Sequence, residues 1–530
     1  MTLPALRVPT RTRFVIAVAA VLTLVNAAVL AERAGRAAEA GGPALALWAG
    51  AIDLLWLFAV NVALLVPAMV SARLLKLWSF LLLVAGAGAA WAVAQYGISF
   101  TREMGYAIVG TNPGEIRELL RPWTLALAVC AFGPPALLLA RLRLPRLTFA
   151  PHGRALAGAG LVVLLFGGAF LADQGRVRAT IREATEVFAP VGLVSAVVDV
   201  ARREWLARNV AKADIAQTFV LPGPREDAPT VVLVVGESTR AQNFGLGGYA
   251  RQTTPRLAVR DGVVYFPEAT ACSTTTAVAV PCMLSRLEGH EFALPPRETS
   301  LVGVFAALGY DAHWYSVQRG NNRAILSACA EAPTCRVNLP GHDEVLIPPL
   351  EAALAAPGPA PRFVLLHTLG AHANFHERYP AAFARFRPEC RDVPYACDRQ
   401  AAINAYDNAI LYVDHVLDEV IARLEGRDAV LIYASDHGES IGEGFRYGHA
   451  AALALAPEEQ TRIPFLVWTS RIFREKRPDF AARIAARRGQ RVSHDHIFHT
   501  ALGCAGARSA LIRPSLDLCA DSPAGALAGR

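Results

Sequence analysis

The chain has 530 residues, of which 53% are hydrophobic and 18% charged, and its formal net charge is +7. A single hydrophobic core rarely serves more than roughly 250–300 residues, so this length excludes one ordinary domain. Before about residue 172 the sequence is mostly Ala, Leu and Val, whereas after about residue 229 it has the composition of a soluble α/β protein. The basic excess is therefore spread over two unlike regions, and we expect no nucleic acid partner.

Five apolar stretches come first in the chain, and each is close to the ~20 residues that cross a bilayer as a helix. They cover about residues 13–31, 45–71, 75–95, 122–141 and 154–172. Basic residues precede the first stretch, as in a signal peptide, but its long apolar core and the four further stretches favour a retained anchor. The sequence therefore predicts a transmembrane domain of five helices over residues 1–172.

The loops between these stretches differ in charge. Basic residues lie before the first stretch, between the second and third, and between the fourth and fifth, whereas the other loops balance their arginines with glutamates. Because positive residues favour the cytoplasmic side, the amino terminus is expected in the cytoplasm. After five crossings, the large carboxy-terminal part lies outside.

The cysteines are consistent with this orientation. Cys130 falls inside the fourth stretch, and the others form close pairs in the exported part: Cys272 with Cys282, Cys329 with Cys335, Cys390 with Cys397, and Cys504 with Cys519. Sequence alone does not determine the pairing. Four local disulfides in an oxidising compartment are the simplest interpretation, since none of these pairs has the CxxC spacing of a zinc site.

Residues 173–228 form a charged stretch with helical periodicity, which predicts an amphipathic bridging segment along the membrane surface. From residue 229 to residue 530 the pattern alternates strand, loop and helix. Continuous apolar runs predict buried parallel strands in TVVLVVGES, RFVLLHTLGAH and DAVLIYASDHGES, with shorter candidates in VVYF and IPFLVW. We expect a doubly wound α/β sheet with helices on both faces.

Polar residues follow three of these strands. In open α/β sheets ligands bind outside the carboxyl ends of the strands, so these side chains should converge. Carboxylates and imidazoles together are ligands of zinc or manganese. The sequence therefore predicts a metal site among Glu237, His367, His372, Asp436, His437 and His449.

The segment CSTTTAVAVPC, residues 272–282, supplies hydroxyl groups between two cysteines. A threonine hydroxyl is a weak nucleophile at neutral pH, and coordination to a divalent cation is one way to ionise it. A disulfide between the two cysteines would hold this loop over the metal. From these residues alone, a threonine-rich turn or helix start is the alternative.

Together these motifs resemble the phosphoethanolamine transferases of Gram-negative inner membranes, a group that includes enzymes that modify lipid A and confer polymyxin resistance. The resemblance rests on VVGESTRAQNFGLGGYARQTTP, CSTTTAVAVPC, HTLGAH, YDNAILYVDHVLD and SDHGESIGE followed by His449. It extends over nearly the whole chain and implies five spans, a bridging segment and a periplasmic domain like that of sulfatases and alkaline phosphatases.

The resemblance also implies roles for particular residues. The nucleophile of the family stands four residues after the first cysteine of the loop, which selects Thr276 over Thr274 and Thr275. The metal ligands would be Glu237, Thr276, Asp436 and His437, and the substrate-binding histidines would be His372 and His449. The implied cofactor is one or two zinc ions, with manganese a weaker candidate.

The reaction implied by the resemblance is ping-pong transfer from phosphatidylethanolamine to an envelope acceptor, first of all lipid A. Core oligosaccharide, a periplasmic glucan or protein are alternative acceptors. The expected protein is a monomer in the bacterial inner membrane with its catalytic domain in the periplasm. The rival interpretations are a glycerol phosphate transferase, a sulfatase and a metal-stabilised binding protein without activity.

One segment departs from the family pattern. After the tryptophan of one strand, lipid A-modifying members commonly carry an Asn-Asn-Ser-Gly-Cys-Lys run that contacts phosphoethanolamine. This chain instead has WYSVQRGNNRAILSAC, which contains no lysine. The candidate substitutes are Gln318, Arg319, Asn322 and Arg323.

Overall fold

The computed structural model describes residues 8–96, 105, 122–145, 168, 188–209, 211–318, 322–444, 446–451, 453 and 456–521. The chain divides into two compact units. The first comprises residues 1–105 and 113–201, and the second comprises residues 106–112 and 202–530.

The described part of the first unit is helical. Its helices are α1 (Arg11–Leu24), α2 (Ala27–Leu65), α3 (Ala72–Tyr96) and α4 (Pro122–Arg141), and α5 (Val191–Asn209) begins in this unit. Helix α2 bends at residues 41–42, where Gly42 has a φ of 78° just before Pro43. Glycine accepts this left-handed conformation without strain, and proline lacks the N–H that would continue the helix.

Two described helical segments are long and apolar enough to cross a membrane, Ala27–Val70 and Ala72–Ala89, and they contain most of the predicted second and third spans. The predicted first span is interrupted, because α1 ends at Leu24 and α2 begins at Ala27. Helix α4 coincides with the predicted fourth span, whereas the fifth lies outside the described residues apart from Gly168. The number of five spans therefore stays a prediction.

The second unit is built on a sheet. Its strands are β1 (Thr230–Gly236), β2 (Val263–Phe266), β3 (Ala269–Thr270), β4 (Asp311–Ser316), β5 (Thr334–Arg336), β6 (Arg362–His367), β7 (Ala429–Ser435), β8 (Ser440–Glu443), β9 (Arg446–Gly448), β10 (Phe465–Thr469) and β11 (Val492–Ser493). Seven of them form one sheet in the order β2-β10-β7-β1-β6-β4-β5. Strand β10 is antiparallel to both neighbours, and the other pairs are parallel.

Helices cover both faces of this sheet. The helices of the unit after α5 are α6 (Thr276–Met283), α7 (Leu301–Ala307), α8 (Arg323–Cys329), α9 (Ile347–Ala355), α10 (Arg399–Leu424), α11 (Glu458–Thr461), α12 (Arg471–Lys476), α13 (Pro478–Ala486) and α14 (Asp495–Cys504). Alternate residues of β1 enter two separate cores: Val231 and Leu233 pack with α6, α7 and α14, and Val232 and Val234 with α9 and α10. This double burial explains the continuous apolar run of β1 and confirms the predicted helix cover.

The five predicted strands are present, and three of them end at the same edge. In the parallel register Val235 lies opposite His367, and Gly236 lies opposite Ser435. The residues that follow β1, β6 and β7 are therefore neighbours. The four predicted disulfides are also formed: Cys272–Cys282, Cys329–Cys335, Cys390–Cys397 and Cys504–Cys519.

Candidate metal-binding active site

Glu237 occupies the centre of the edge where β1 ends, and its side chain is fully buried. Ser238 Oγ donates a hydrogen bond of 2.7 Å to Glu237 Oε1. Glu237 Oε2 accepts from Thr276 Oγ1 at 3.1 Å and from Gln318 Nε2 at 2.7 Å. The carboxylate is therefore held on both oxygens by neutral donors.

The loop after β6 packs directly on the backbone of Glu237. Ala371 N donates to Glu237 O at 3.0 Å, and Gly370 has a φ of 50°. A Cβ atom at Gly370 would lie 2.5 Å from Glu237 O. Glycine is required here both for the left-handed backbone and for this close approach, which explains the sequence LGAH.

Asp436 and His437 follow β7 and are also fully buried. Asp436 Oδ1 accepts from the backbone N–H groups of Ser238 and His437, at 3.1 Å and 2.7 Å. Asp436 Oδ2 is buried without a hydrogen-bond partner in the described part of the chain. A buried carboxylate oxygen with no donor is costly, which indicates that a cation belongs beside it.

The protonation of His437 follows from its surroundings. Its Nδ1 lies 2.9 Å from the carbonyl oxygen of Gly438, which can only accept, so Nδ1 carries the hydrogen. Burial lowers the pKa of His437 to about 4, and the ring is therefore neutral at physiological pH. Nε2 then carries a lone pair, and this atom lies 3.3 Å from Asp436 Oδ2 and 3.5 Å from Glu237 Oε1.

The carboxylates are also unfavourable as bare anions. Burial, together with the charge of Asp436, raises the pKa of Glu237 to about 8. Burial raises the pKa of Asp436 to about 6. Glu237, Asp436 and His437 form a group whose ligand atoms all lie within 4.8 Å of one another, and this donor set fits a divalent cation such as zinc.

The structure distinguishes the hydroxyls of the disulfide-bonded loop. Thr274 Oγ1 donates to Ala451 O at 2.6 Å, and Thr275 Oγ1 lies 3.3 Å from Ser273 Oγ, all of these residues being buried. Thr276 is partly exposed at the start of α6, with Oγ1 3.2 Å from His437 Nε2 in addition to its bond with Glu237. Of these hydroxyls, that of Thr276 alone contacts the cluster.

The backbone of α6 is adapted to its sequence. Pro281 has no N–H for the carbonyl oxygen of Ala277 four residues earlier, and Asn322 Nδ2 donates to that oxygen at 3.4 Å. Asn322 also caps α8, because its Oδ1 accepts from Ala324 N and Ile325 N. Asn322, a candidate headgroup contact in the sequence, is thus used in supporting two helices.

His449 and His372 lie next to the cluster without joining its carboxylates. The ring centroids of His437 and His449 are 4.2 Å apart, and those of His449 and His372 are 6.1 Å apart. His449 Nδ1 is 2.8 Å from Glu439 Oε2. Burial by itself would lower the pKa of His449, but the charge and hydrogen bond of Glu439 raise it to about 9.

His367, which the strand-end rule placed with the others, is separate from both metal groups that the described residues form. Its ring lies beside Trp314 with centroids 6.4 Å apart, and neither ring nitrogen has a partner within the described ranges. The alternation of side chains along β6 directs it into the core under the site. Burial lowers the pKa of His367 to about 3, so it is a neutral core residue.

Two contacts were missed by the sequence analysis. Glu439, in the sequence SDHGES, pairs with His449 and forms a second possible metal group with His437 and His449. Gln318 was a candidate for a headgroup contact, whereas its amide binds Glu237. The contact of Glu439 could have been found from the sequence, because an acidic residue stands two positions after His437. No local signal indicated the contact of Gln318 with Glu237.

The fold and these residues define a sulfatase-like domain with a candidate metal site, and comparison with known proteins agrees with the fold. Residues 229–507 match the sulfatase family model, and residues 57–205 match the model described as phosphoethanolamine transferase EptA/EptB. The chain is 30% identical over 472 residues to phosphoethanolamine transferase EptA of Escherichia coli K12, covering 83% of this chain and 84% of that protein. The chain belongs to the phosphoethanolamine transferase family.

Two further relatives extend the comparison. The Kdo(2)-lipid A phosphoethanolamine 7''-transferase of Escherichia coli K12 is 32% identical over 326 residues, which is 58% of this chain and 57% of that protein. The solved structure of the integral membrane protein lipooligosaccharide phosphoethanolamine transferase A from Neisseria meningitidis matches with a TM-score of 0.79 at 28% identity, covering 95% of this chain and 98% of that one. The architecture is therefore a membrane domain followed by a sulfatase-like domain.

Proposed function

We propose that this protein transfers phosphoethanolamine from phosphatidylethanolamine to lipid A through a covalent intermediate on Thr276. The observation that carries the proposal is the position of Thr276 Oγ1, which is partly exposed yet within 3.2 Å of both Glu237 Oε2 and His437 Nε2. A nucleophile needs access to its substrate on one side and a group that takes its proton on the other.

In this proposal Glu237, Asp436, His437 and Thr276 hold zinc. The orphaned Asp436 Oδ2 and the deprotonated Nε2 of His437 support a cation at this place. A divalent cation of this kind lowers the pKa of a coordinated hydroxyl and offsets negative charge on the phosphoryl oxygens. A second zinc ion beside Glu439 and His449 is compatible with the second metal group.

The first half-reaction is displacement at phosphorus. The oxygen of Thr276 attacks, the bond from phosphorus to the diacylglycerol oxygen breaks, and Thr276 becomes a phosphodiester that carries ethanolamine. The hydroxyl proton leaves towards Glu237 Oε2, which already accepts from it. His449 supplies a proton to the departing alkoxide, a role that fits its contact with Glu439.

In the second half-reaction a phosphate oxygen of lipid A attacks the same phosphorus and gives its proton to His449, while the bond from phosphorus to Thr276 breaks and Thr276 takes back its proton from Glu237 to leave as the free hydroxyl. His372, whose ring centroid lies 6.1 Å from that of His449, orients the phosphodiester. Lipid A is the proposed acceptor because the names of the relatives include a lipid A transferase and a lipooligosaccharide transferase. The proposed location is the inner membrane, with the amino terminus in the cytoplasm, the catalytic domain in the periplasm and the protein a monomer.

The test separates the two half-reactions. Purified full-length protein in detergent is given fluorescent phosphatidylethanolamine, and release of fluorescent diacylglycerol is followed with and without a chelator. We expect release that the chelator abolishes and that zinc restores, together with a mass increase of one phosphoethanolamine on the peptide containing Thr276. Adding lipid A should then discharge this adduct.

The same assay tests the alternatives. Release from phosphatidylglycerol instead of phosphatidylethanolamine would replace the proposal with glycerol phosphate transfer. An adduct that lipid A does not discharge, but core oligosaccharide or a glucan does, would keep the donor step and change the acceptor. Zinc binding without release from either lipid would indicate a binding protein.

A further inference from the structure

Gln318 lies two residues after the end of β4, and one strand, β6, lies between β4 and β1, the strand that Glu237 follows. Its side chain crosses the carboxyl end of β6. The amide Nε2 donates to Glu237 Oε2 at 2.7 Å and to the backbone oxygen of Thr368 at 3.0 Å. The side chain therefore connects the ends of three strands.

The orientation of this amide is determined by its partners. A carboxylate and a backbone carbonyl are both acceptors, so the nitrogen of Gln318, and not its oxygen, must face them. The main chain at this position is held as well, since Gln318 N donates to Ser316 Oγ at 3.1 Å and Val317 N donates to His367 O at 3.0 Å. Gln318 thus presents its donor to Glu237 from a fixed backbone.

The contact matters because Glu237 Oε2 is also the oxygen that accepts from Thr276 Oγ1. Rotation of the carboxylate would separate Thr276 from its acceptor and Glu237 Oε1 from His437. Ser238 restrains one oxygen of the carboxylate and Gln318 restrains the other. We infer that Gln318 is a positioning residue that sets the orientation of the Glu237 carboxylate for both the metal and the nucleophile, an inference that rests on the proposed function for its catalytic part.

A neutral amide suits this role on electrostatic grounds. A lysine or arginine in its place would form an ion pair with Glu237 and compete with the cation for the same charge. The amide supplies direction without neutralising the carboxylate, so Glu237 keeps its affinity for a metal. Outer partners of this kind typically contribute ~10- to 100-fold to metal affinity or activity.

The experiment replaces Gln318 with methionine, which has a similar length but no donor. Zinc affinity is measured on metal-free full-length protein by competition with a chromophoric chelator, and diacylglycerol release is measured on the zinc-loaded protein. We expect Gln318→Met to weaken zinc binding ~10- to 100-fold and to lower kcat by a similar factor. KM for phosphatidylethanolamine should change by less than ~3-fold, because the lipid is not the partner of the amide.

Two further variants make the result specific. Gln400→Met is the matched control, since Gln400 Nε2 donates to Asn404 Oδ1 at 3.1 Å on α10, and it should leave zinc affinity and kcat unchanged. Gln318→Glu keeps the size of the side chain but places a second carboxylate against that of Glu237. It should lower kcat at least as much as Gln318→Met does. Wild-type zinc affinity and kcat in either Gln318 variant would overturn the inference.

The zinc titration does not depend on lipid turnover, so the failure of each proposal can be told apart. If wild-type protein releases no diacylglycerol while Gln318→Met still weakens zinc binding, the proposed function fails and the positioning role stands. If the metal-free variant melts well below the wild type while zinc affinity is unchanged, Gln318 has only a structural role and the inference fails.

Discussion

The two units of the chain differ in the partners of their buried charged residues. In the first unit Arg33 and Asp53 are both buried, and they form two side-chain hydrogen bonds of 2.8 Å and 3.3 Å. In the second unit Glu237 and Asp436 are buried with only imidazoles and neutral donors around them. The first arrangement pairs one buried cation with one buried anion, whereas the second places two buried carboxylates near one cationic imidazole, that of His449.

This difference separates a structural ion pair from the proposed active site. The sequence analysis placed Arg33 in a loop between the first two apolar stretches, yet Arg33 is part of α2. Its ion pair with Asp53 offsets the cost of burying both charges. Burial raises the pKa of Glu237 to about 8 and that of Asp436 to about 6, and it outweighs the nearby charge of His449, which lowers both pKa values. A divalent cation would supply additional positive charge beside the two carboxylates.

The strongest way to break the second arrangement is to remove the proposed nucleophile. Thr276→Ala should lower diacylglycerol release by ~10³-fold or more, because no other hydroxyl of the loop contacts Glu237 or His437. The measurement is the fluorescent lipid assay on zinc-loaded protein.

The matched control for this loss is Thr275→Ala, in the same loop. Thr275 Oγ1 lies beside Ser273 Oγ and makes no capping bond to α6, so its loss should cost less than ~10-fold in rate. Equal losses in the two variants would contradict the assignment of Thr276.

Neutralising Glu237 sharpens the contrast between the units. Glu237→Gln should weaken zinc binding by ~10²-fold or more, since a charged ligand is replaced by an amide. The same change should leave metal-free protein as stable as the wild type or more stable, because it removes a carboxyl group whose ionised form is disfavoured by burial. Chelator competition and thermal unfolding in chelator measure the two effects, and a large loss of metal-free stability would count against this account.

Breaking the ion pair of the first unit should have the opposite effect on stability. Arg33→Met removes the guanidinium from the buried ion pair with Asp53 and should destabilise the membrane unit by ~3–5 kcal/mol. Combining it with Asp53→Leu should recover most of this loss, because both charges are then gone. Unfolding of the purified protein in detergent is the measurement, and a double variant as unstable as the single one would show that the pair does more than balance charge.

The smallest expected effect on stability concerns Asp517. This residue is a buried carboxylate of the second unit and belongs to neither metal group formed by the described residues. Burial raises the pKa of Asp517 to about 7, above the ~4 of an exposed aspartate. The folded state therefore holds the proton more tightly, and this stabilisation is present below pH ~4 and is lost as the pH rises through about 7.

Asp517→Asn should remove this pH dependence while its Oδ1 still accepts from Cys519 N, a bond of 2.8 Å in the wild type. The variant should match the wild type at pH ~4 and be more stable by ~1–3 kcal/mol at pH ~8. Denaturant unfolding at the two pH values checks the sign, and a variant that is less stable at pH ~8 would contradict it.

Much of the site could be predicted from local sequence. Strands β1, β6 and β7 are continuous apolar runs because both their faces are buried, and the rule that parallel strands end at one edge then placed Glu237, Asp436 and His437 together. The rule was wrong for His367, which is the last residue of β6 and still follows the alternation of the strand into the core. A one-residue difference in the end of a strand decides which face a side chain takes.

The sequence by itself determined the order of the main strands and the set of ligand types, and it favoured pairing of neighbouring cysteines, because these features depend on periodicity and on short separations along the chain. The family resemblance singled out Thr276 among three adjacent threonines, but only the tertiary structure decided that its hydroxyl contacts the Glu237 carboxylate and that the distant amide of Gln318 does so too. Thr274, Thr275 and Thr276 are chemically equivalent as a sequence, and the bonds of Thr274 to Ala451 and of Gln318 to Glu237 join residues 177 and 81 positions apart. Contacts across such separations arise from the packing of the sheet and its loops, which no local pattern encodes.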